Sequence, residues 1–248
     1  MSWKGGQCRW VTAFEIAKVK AMILAAGRGE RMRQFSDALP KALLPAGDKP
    51  LIVWILENLA AAGFNEIVIN HAHLGSLIES ALGDGARFGV HLAYSPETQA
   101  LETAGGIANA LPLLGDEPFL VVNADIFCDL DFKILRPKLP SMVESGYLAH
   151  LVLVDNPGHH PQGDFGLTHD KVTLTVQQKL TYSGIGLYHP AFFVNVARGA
   201  KAKLAPLLHA QIEAGKVSGE RYRGLWMDVG TPERLHELEA LLQAKRTR

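Results

Sequence analysis

Between Val19 and Asp125 the chain alternates short, wholly apolar runs with segments whose apolar residues recur at helical spacing. That alternation leaves few folds open. VKAMILAAG (Val19–Gly27) is a continuous apolar run closing on glycine, as in a strand covered on both faces of a parallel sheet. LIVWILENLAAAG, directly after Pro50, has the spacing of a helix with Gly63 as its C-terminal cap, and EIVIN follows as a short buried strand. The unit repeats with a helix over Leu74–Leu82, a strand over His91–Ser95, a helix over Gly105–Leu113 and the strand FLVVNAD ending at Asp125. Such a succession predicts an α/β fold: a mixed, mostly parallel sheet flanked by helices on both faces. Beyond Asp129 the rhythm changes. YLAHLVLV, KVTLTVQQ and TYSGIGLYH read as strands with no full helical pattern between them, so the second half is expected to be partly antiparallel. A helix over Leu204–Ala214, a strand RYRGLWMDVG and a last helix complete the pattern. That helix is capped by Thr231, has Pro232 at its first position and runs to about Lys245.

The 248 residues suit one such domain, expected over 19–248. Residues 1–18, MSWKGGQCRWVTAFEIAK, show no period and are expected to be an extension, a misassigned start or vector sequence. Lys and Arg number 25 and so do Asp and Glu, which argues against a nucleic-acid binder, since neutralising many phosphates requires an excess of cations. Any phosphate site must therefore be local. No window approaches the ~18 unbroken apolar residues of a membrane span, and the first residues lack a signal-peptide pattern, so a cytoplasmic protein without a membrane partner is expected. Cys8 and Cys128 are too few for a disulfide framework or a zinc cluster, and a metal would be held by oxygen.

LAAGRGERMR (Leu24–Arg33) carries the most chemistry. Glycines just beyond a buried strand, Gly27 and Gly29, let backbone N–H groups close around an anion, although a bare G-x-G is also an ordinary turn. A Rossmann fingerprint would want glycine at Met32, and the Gly-Lys-Ser/Thr of a P-loop is absent. Arg28, Arg31 and Arg33 in and after the turn, with Lys41 eight positions on in PKALLP, supply what a triphosphate requires. Asp125 falls at the carboxyl end of a buried strand, where open α/β sheets bind ligands, and Asp228 in WMDVGT is a natural second carboxylate for a hard divalent ion. Either aspartate alone reads first as a turn or cap residue, and together with the loop the pair reads as ligands. Thr103 and two glycines in LETAGGIANAL read as a helix cap on sequence alone. The turn-rich DNPGHHPQGDFG, with His159 and His160, has no third ligand at zinc-like spacing and reads as a solvated loop.

LAAGRGERMR followed by PKALLP resembles the signature of the sugar-1-phosphate nucleotidyltransferases, and the likeness covers essentially everything after residue 18. INHAHLG, LETAGGI, LVLVDNPGHH, KVSGERYRG and WMDVGT bring it near the branch that serves bacterial cell-wall recycling. The resemblance implies a Rossmann-like fold of the nucleotide-diphospho-sugar transferase type. It further implies an enzyme that joins a nucleoside triphosphate, here UTP, to a sugar 1-phosphate, here N-acetylmuramate 1-phosphate, and releases pyrophosphate. Under it Ala26, Gly27, Arg28, Gly29 and Lys41 meet the phosphates, and Glu102, Thr103 and Gly105 meet base and ribose. Asn123, Asp164, Ser183 and Gly184 meet the sugar phosphate, and Asp125 and Asp228 hold Mg²⁺. The sequence also departs from the family, with Gln178-Lys179 where relatives often carry Glu-Lys-Pro and LETAGG where a third glycine is common.

The expected chemistry is in-line attack of the sugar phosphate on the α-phosphorus, with positioning and charge neutralisation supplying the catalysis. Arg33 and the glycine loop would hold the β- and γ-phosphates, and Lys41 would neutralise charge beside Mg²⁺ on Asp125 and Asp228. Shared motifs leave mannose-1-phosphate guanylyltransferase and glucose-1-phosphate thymidylyl- or uridylyltransferase activities open. A non-catalytic nucleotide-binding regulatory module is the alternative from another class. A monomer is expected, since the catalytic fold leaves no separate dimerisation domain.

Overall fold

The computed structural model describes residues 19–32 and 38–246. The first strand, β1 (Lys20–Leu24), leads through a loop and the short ribbon β2 (Pro45–Ala46) and β3 (Lys49–Pro50) into helix α1 (Leu51–Ala61). Then come β4 (Glu66–His71), α2 (Gly75–Leu82), β5 (His91–Pro96), α3 (Glu102–Leu114), β6 (Phe119–Asn123) and β7 (Ile126–Cys128). The second half holds α4 (Lys138–Glu144), β8 (Ala149–Val154), β9 (Gly166–Thr168), β10 (Lys171–Thr173) and β11 (Thr181–Tyr188). It ends with α5 (Leu204–Glu213), β12 (Val217–Arg221), β13 (Trp226–Asp228) and α6 (Pro232–Arg246).

Nine strands form one sheet in the order β5-β4-β1-β6-β11-β8-β12-β10-β9. Its first four strands are parallel, and across the sheet β11 and β10 run against the rest. The mixed, mostly parallel sheet expected from the alternation is the one observed. Within β1, Ala21 and Ile23 point into one core, with α1 and α2, while Met22 points into the other, with α3 and α5. β6 divides in the same way, Leu120 and Val122 to the first core and Phe119 and Val121 to the second. Coverage on both faces is why these strands read as unbroken apolar runs. A third cluster packs Leu235, Leu238 and Leu242 of α6 against Met32, Leu44 and Leu51.

From β1 the chain builds outward to β4 and β5 on one side, then returns through α3 to place β6 on the other. The loop after β1 therefore opens at the point where the winding reverses, the crevice in which such sheets bind ligands.

Three expectations are corrected. KVTLTVQQ forms only the three-residue β10, because its partner β9 is a short hairpin arm. RYRGLWMDVG is not one strand. The chain leaves the large sheet at Arg221, turns at Gly224, and re-forms as β13, paired antiparallel with β7 in a ribbon of its own. A helix, α4, lies where no full helical pattern was read. It is one short piece with Pro140 near its start, where a missing N–H removes no helical bond, and only Leu139 and Met142 are buried, too few to show a period.

Candidate active site

The loop Ala25–Gly29 continues from β1 between β4 and β6. Ala25 N–H donates to Asn70 Oδ1 (3.0 Å) at the end of β4. A Cβ on Gly27 would meet nothing within 4 Å, and Gly29 sits at φ +64°, a region that favours glycine. Backbone here can approach an anion with no side chain between them. The chain then tightens, Met32 N–H donating to Gly29 O (2.7 Å), and carries Arg31 to the rim.

A cleft of about 680 Å³ opens beside this loop, bordered by Ala26, Gly27, Arg28 and Gly29 on one side and by Glu102 and Thr103 of α3 on another. Asn123 and Asp125 form its floor, at the carboxyl end of β6. Lys41 Nζ reaches Asp125 Oδ2 at 2.5 Å, with the lysine side chain 11% exposed and the aspartate 37%. A buried cation beside a half-open carboxylate is a charge pair set to meet an incoming phosphate. Asp125 Oδ1 has no hydrogen-bond partner among the described residues. Lys201 also borders the cleft, with no motif or spacing around it to mark it. Its segment is tied to the start of α3 by Ala202 N–H donating to Leu101 O (2.9 Å) and Gly105 N–H donating to Ala202 O (3.0 Å).

Asp228 lies one ribbon away. β13 pairs Asp228 with Ile126, and Val229 N–H donates to Asp125 O (2.7 Å), so the two aspartates sit side by side. The Asp228 carboxylate, however, faces a second cleft of about 550 Å³, where it accepts from Arg234 Nη1 and pairs with His159 Nε2 (3.0 Å). Arg31 borders both clefts. Arg33, expected to hold phosphate, lies outside the described residues.

Other expected residues fall elsewhere. Gly105 is buried away from the cleft lining, where a Cβ would stand 2.3 Å from Ala200 O, so it serves the packing of α3. Asp164 ties its loop to β11, accepting from Tyr182 N–H (2.8 Å) and pairing with His160 (3.1 Å). Ser183 is buried, its Oγ donating to Val152 O (2.7 Å) and its carbonyl accepting from Trp226 Nε1 (2.9 Å). Gly184 borders the site through Asn123: its φ is +78°, and a Cβ would meet Asn123 Nδ2 at 2.6 Å.

Beneath the first cleft runs a buried relay absent from the sequence reading. Asn70 Nδ2 donates to Glu97 Oε1 (2.7 Å), and Leu101 N–H donates to Glu97 Oε2 (2.8 Å). The glycine loop is thereby joined to the start of α3, where Glu102 adopts φ +62°. Burial pushes the Glu97 carboxyl above the usual glutamate range, against the pull of the Leu101 and Asn70 donors. Gly106 leaves room for the relay, since a Cβ there would stand 2.6 Å from Asn70 Nδ2.

Residues 20–245 match the nucleotidyl transferase family. The chain belongs to that family. It is an enzyme, a nucleotidyltransferase, of the kind that LAAGRGERMR and PKALLP suggested. This nucleotidyltransferase is 54% identical over 230 residues to the N-acetylmuramate alpha-1-phosphate uridylyltransferase of Neisseria meningitidis serogroup B, a match spanning 91% of this chain and 99% of that one. It is 28% identical to the mannose-1-phosphate guanylyltransferase catalytic subunit beta of Danio rerio, over 87% of this chain and 62% of the relative. Among solved structures, a putative glucose-1-phosphate thymidylyltransferase from Bacillus anthracis superimposes with a TM-score of 0.77 at 22% identity, covering 90% of this chain and 94% of that one. A UDP-glucose pyrophosphorylase complexed with UDP-glucose superimposes at 0.74 and 18% identity, over 92% and 99%. These two likenesses establish the fold.

Proposed function

We propose that this nucleotidyltransferase moves the uridylyl group of UTP onto N-acetylmuramate 1-phosphate, forming the UDP-sugar and pyrophosphate, in cytoplasmic cell-wall recycling and as a monomer. The observation that carries the substrate pair is 54% identity along 99% of a relative bearing that name. In the reaction a phosphate oxygen of the sugar forms a bond to the α-phosphorus while the bond from that phosphorus to the bridging oxygen of the β-phosphate breaks. Pyrophosphate leaves with the electron pair. The nucleophile is already ionised, so no general base is required.

Loop 25–29, with Arg28, Arg31 and Arg33, receives the β- and γ-phosphates. Lys41 stands at Asp125, where it offsets charge growing at the α-phosphate. The start of α3, with Glu102 and Thr103, faces base and ribose across the cleft. Asn123, held over Gly184, meets the sugar phosphate.

Mg²⁺ suits the donor set: a hard divalent ion takes one or two carboxylates together with substrate phosphates. Asp125 offers its open Oδ1; Asp228 stands beside it on the paired strand and would contribute its carboxylate on release from Arg234 and His159. When bound, the ion supplies positive charge to the phosphates as they react.

The test crosses UTP, dTTP, GTP and CTP with the 1-phosphates of N-acetylmuramate, N-acetylglucosamine, glucose and mannose, reading pyrophosphate release. UTP with N-acetylmuramate 1-phosphate should give the highest kcat/KM. Preference for GTP with mannose 1-phosphate would overturn the reading, and absence of turnover with every pair would point to a non-catalytic nucleotide-binding module.

A further inference from the structure

The second cleft is built around a cation in an unfavourable place. Arg234 occupies the first turn of α6, where the helix dipole disfavours positive charge, and it is only 9% exposed. Its Nη1 is taken by Asp228 and by His159 Nε2 (2.8 Å). Its Nη2 turns toward Gly230. The position of a Cβ on Gly230 is 2.4 Å from Arg234 Nη2 and 3.2 Å from Arg31 Nη2, so two guanidinium groups converge over a glycine that leaves the space between them open. No carboxylate pairs with Arg31 among the described residues. Asp228 and Glu237 are the acidic groups bordering the cleft, and Trp226, Met227 and Pro157 give it an apolar wall.

Two like charges brought together beside an apolar wall form a receptor for an anion that also carries hydrocarbon. The triphosphate belongs to the first cleft. The acceptor sugar, on the reading given above, carries a second anion that most sugar 1-phosphates lack: N-acetylmuramate bears a lactyl ether, with a methyl group and a carboxylate. We propose that the second cleft receives this lactyl group, the carboxylate on Arg234 with His159 beside it and the methyl group against Trp226 and Met227. Arg234 and His159 then determine specificity for an acidic acceptor, a role that rests on the N-acetylmuramate reading.

The experiment compares kcat/KM for N-acetylmuramate 1-phosphate and N-acetylglucosamine 1-phosphate, with UTP saturating, in the wild type, Arg234→Gln and His159→Ala. Both variants contact Asp228, so the readout is the ratio between the two sugars rather than either rate. The wild type should favour the acidic sugar, and Arg234→Gln should reduce that preference about 10- to 100-fold, the worth of one charge-assisted contact. His159→Ala, in a half-exposed loop position that folding tolerates, should reduce it by a smaller factor. An unchanged ratio in both variants, including an equal fall on both sugars, overturns the proposal. A wild type that turns over other sugar 1-phosphates but not N-acetylmuramate 1-phosphate overturns the substrate reading itself, before any variant is made.

Discussion

Glu97→Gln tests the relay beneath the glycine loop because each link has a fixed direction. Ala25 N–H and Leu101 N–H can only donate, and they lie at opposite ends of the Asn70–Glu97 pair. Asn70 must accept from Ala25 with Oδ1, so its Nδ2 must donate onward, and residue 97 must accept at both of its terminal atoms. A carboxylate does so and an amide cannot. In Glu97→Gln one donor faces another, whichever way the two amides turn, and an unpaired buried donor costs about 1–3 kcal/mol. For folding this loss is offset, because a neutral side chain escapes the burial penalty that raises the Glu97 pKa. The denaturation midpoint should therefore move little. The loop has no such offset, and UTP affinity should weaken about 5- to 150-fold, the same energy as a binding ratio. Titration calorimetry with UTP, beside urea unfolding, reads both.

The double variant Asn70→Asp/Glu97→Gln restores the directions: Leu101 N–H donates to Gln, Gln donates to Asp, and Asp accepts from Ala25. It should recover most of the lost affinity. Protonation imitates the single variant, so on acidification wild-type UTP affinity should fall more than that of Glu97→Gln, which has no carboxyl there to protonate. For stability the sign is opposite. The folded pKa lies above the unfolded one, so the native state holds the extra proton, and the contribution of Glu97 falls as pH rises through that interval. If Glu97→Gln binds UTP as the wild type does, the directional argument is wrong.

Further outcomes follow from single contacts. Asp125→Asn should lower kcat about 10²- to 10³-fold at saturating Mg²⁺, by analogy with loss of one preorganised electrostatic contact, and unchanged turnover would remove Asp125 from the metal site. Glu102→Gly relieves a side chain at φ +62° and should stabilise the fold by about 1 kcal/mol, read as a rise in Tm of about 2–4 °C, while discrimination among nucleotides weakens. Gly184→Ala adds a Cβ at φ +78° against Asn123; it should cost about 1–2 kcal/mol in urea unfolding and raise KM for the sugar phosphate more than KM for UTP.

The sequence carried the parallel half of the sheet plainly, since strands covered on both faces leave an apolar run that little else produces. It carried the glycine loop and Asp125 because each adjoins the end of such a strand, and Lys41 because PKALLP follows the arginine-rich turn. Asn70 and Glu97 were hidden because a buried polar pair shows no periodicity; only the sheet, by setting β4 beside β5, brings them together. Lys201 reaches the cleft through backbone bonds to α3 that no spacing encodes. Arg234 leaves a signal of its own, a cation in the first turn of a helix whose start Thr231 and Pro232 already mark. KVTLTVQQ misled because alternation measures compatibility with a sheet and not the length of the available partner.

The ribbon of β7 and β13 also sets when the site can exist. Asp125 and Asp228 are 103 residues apart in the chain, and the strand carrying the second is made after the eight other strands of the large sheet that precede β12 and after β12 itself. At roughly 5–20 residues per second, translation leaves the two carboxylates separated by about 5–20 s of synthesis. During that interval the glycine loop, Lys41 and Asp125 have already emerged without the strand that completes them. On the proposed reading, in which both aspartates serve the metal, the site is complete only after residues 226–228 have been made, and a chain stalled before Trp226 lacks its second carboxylate.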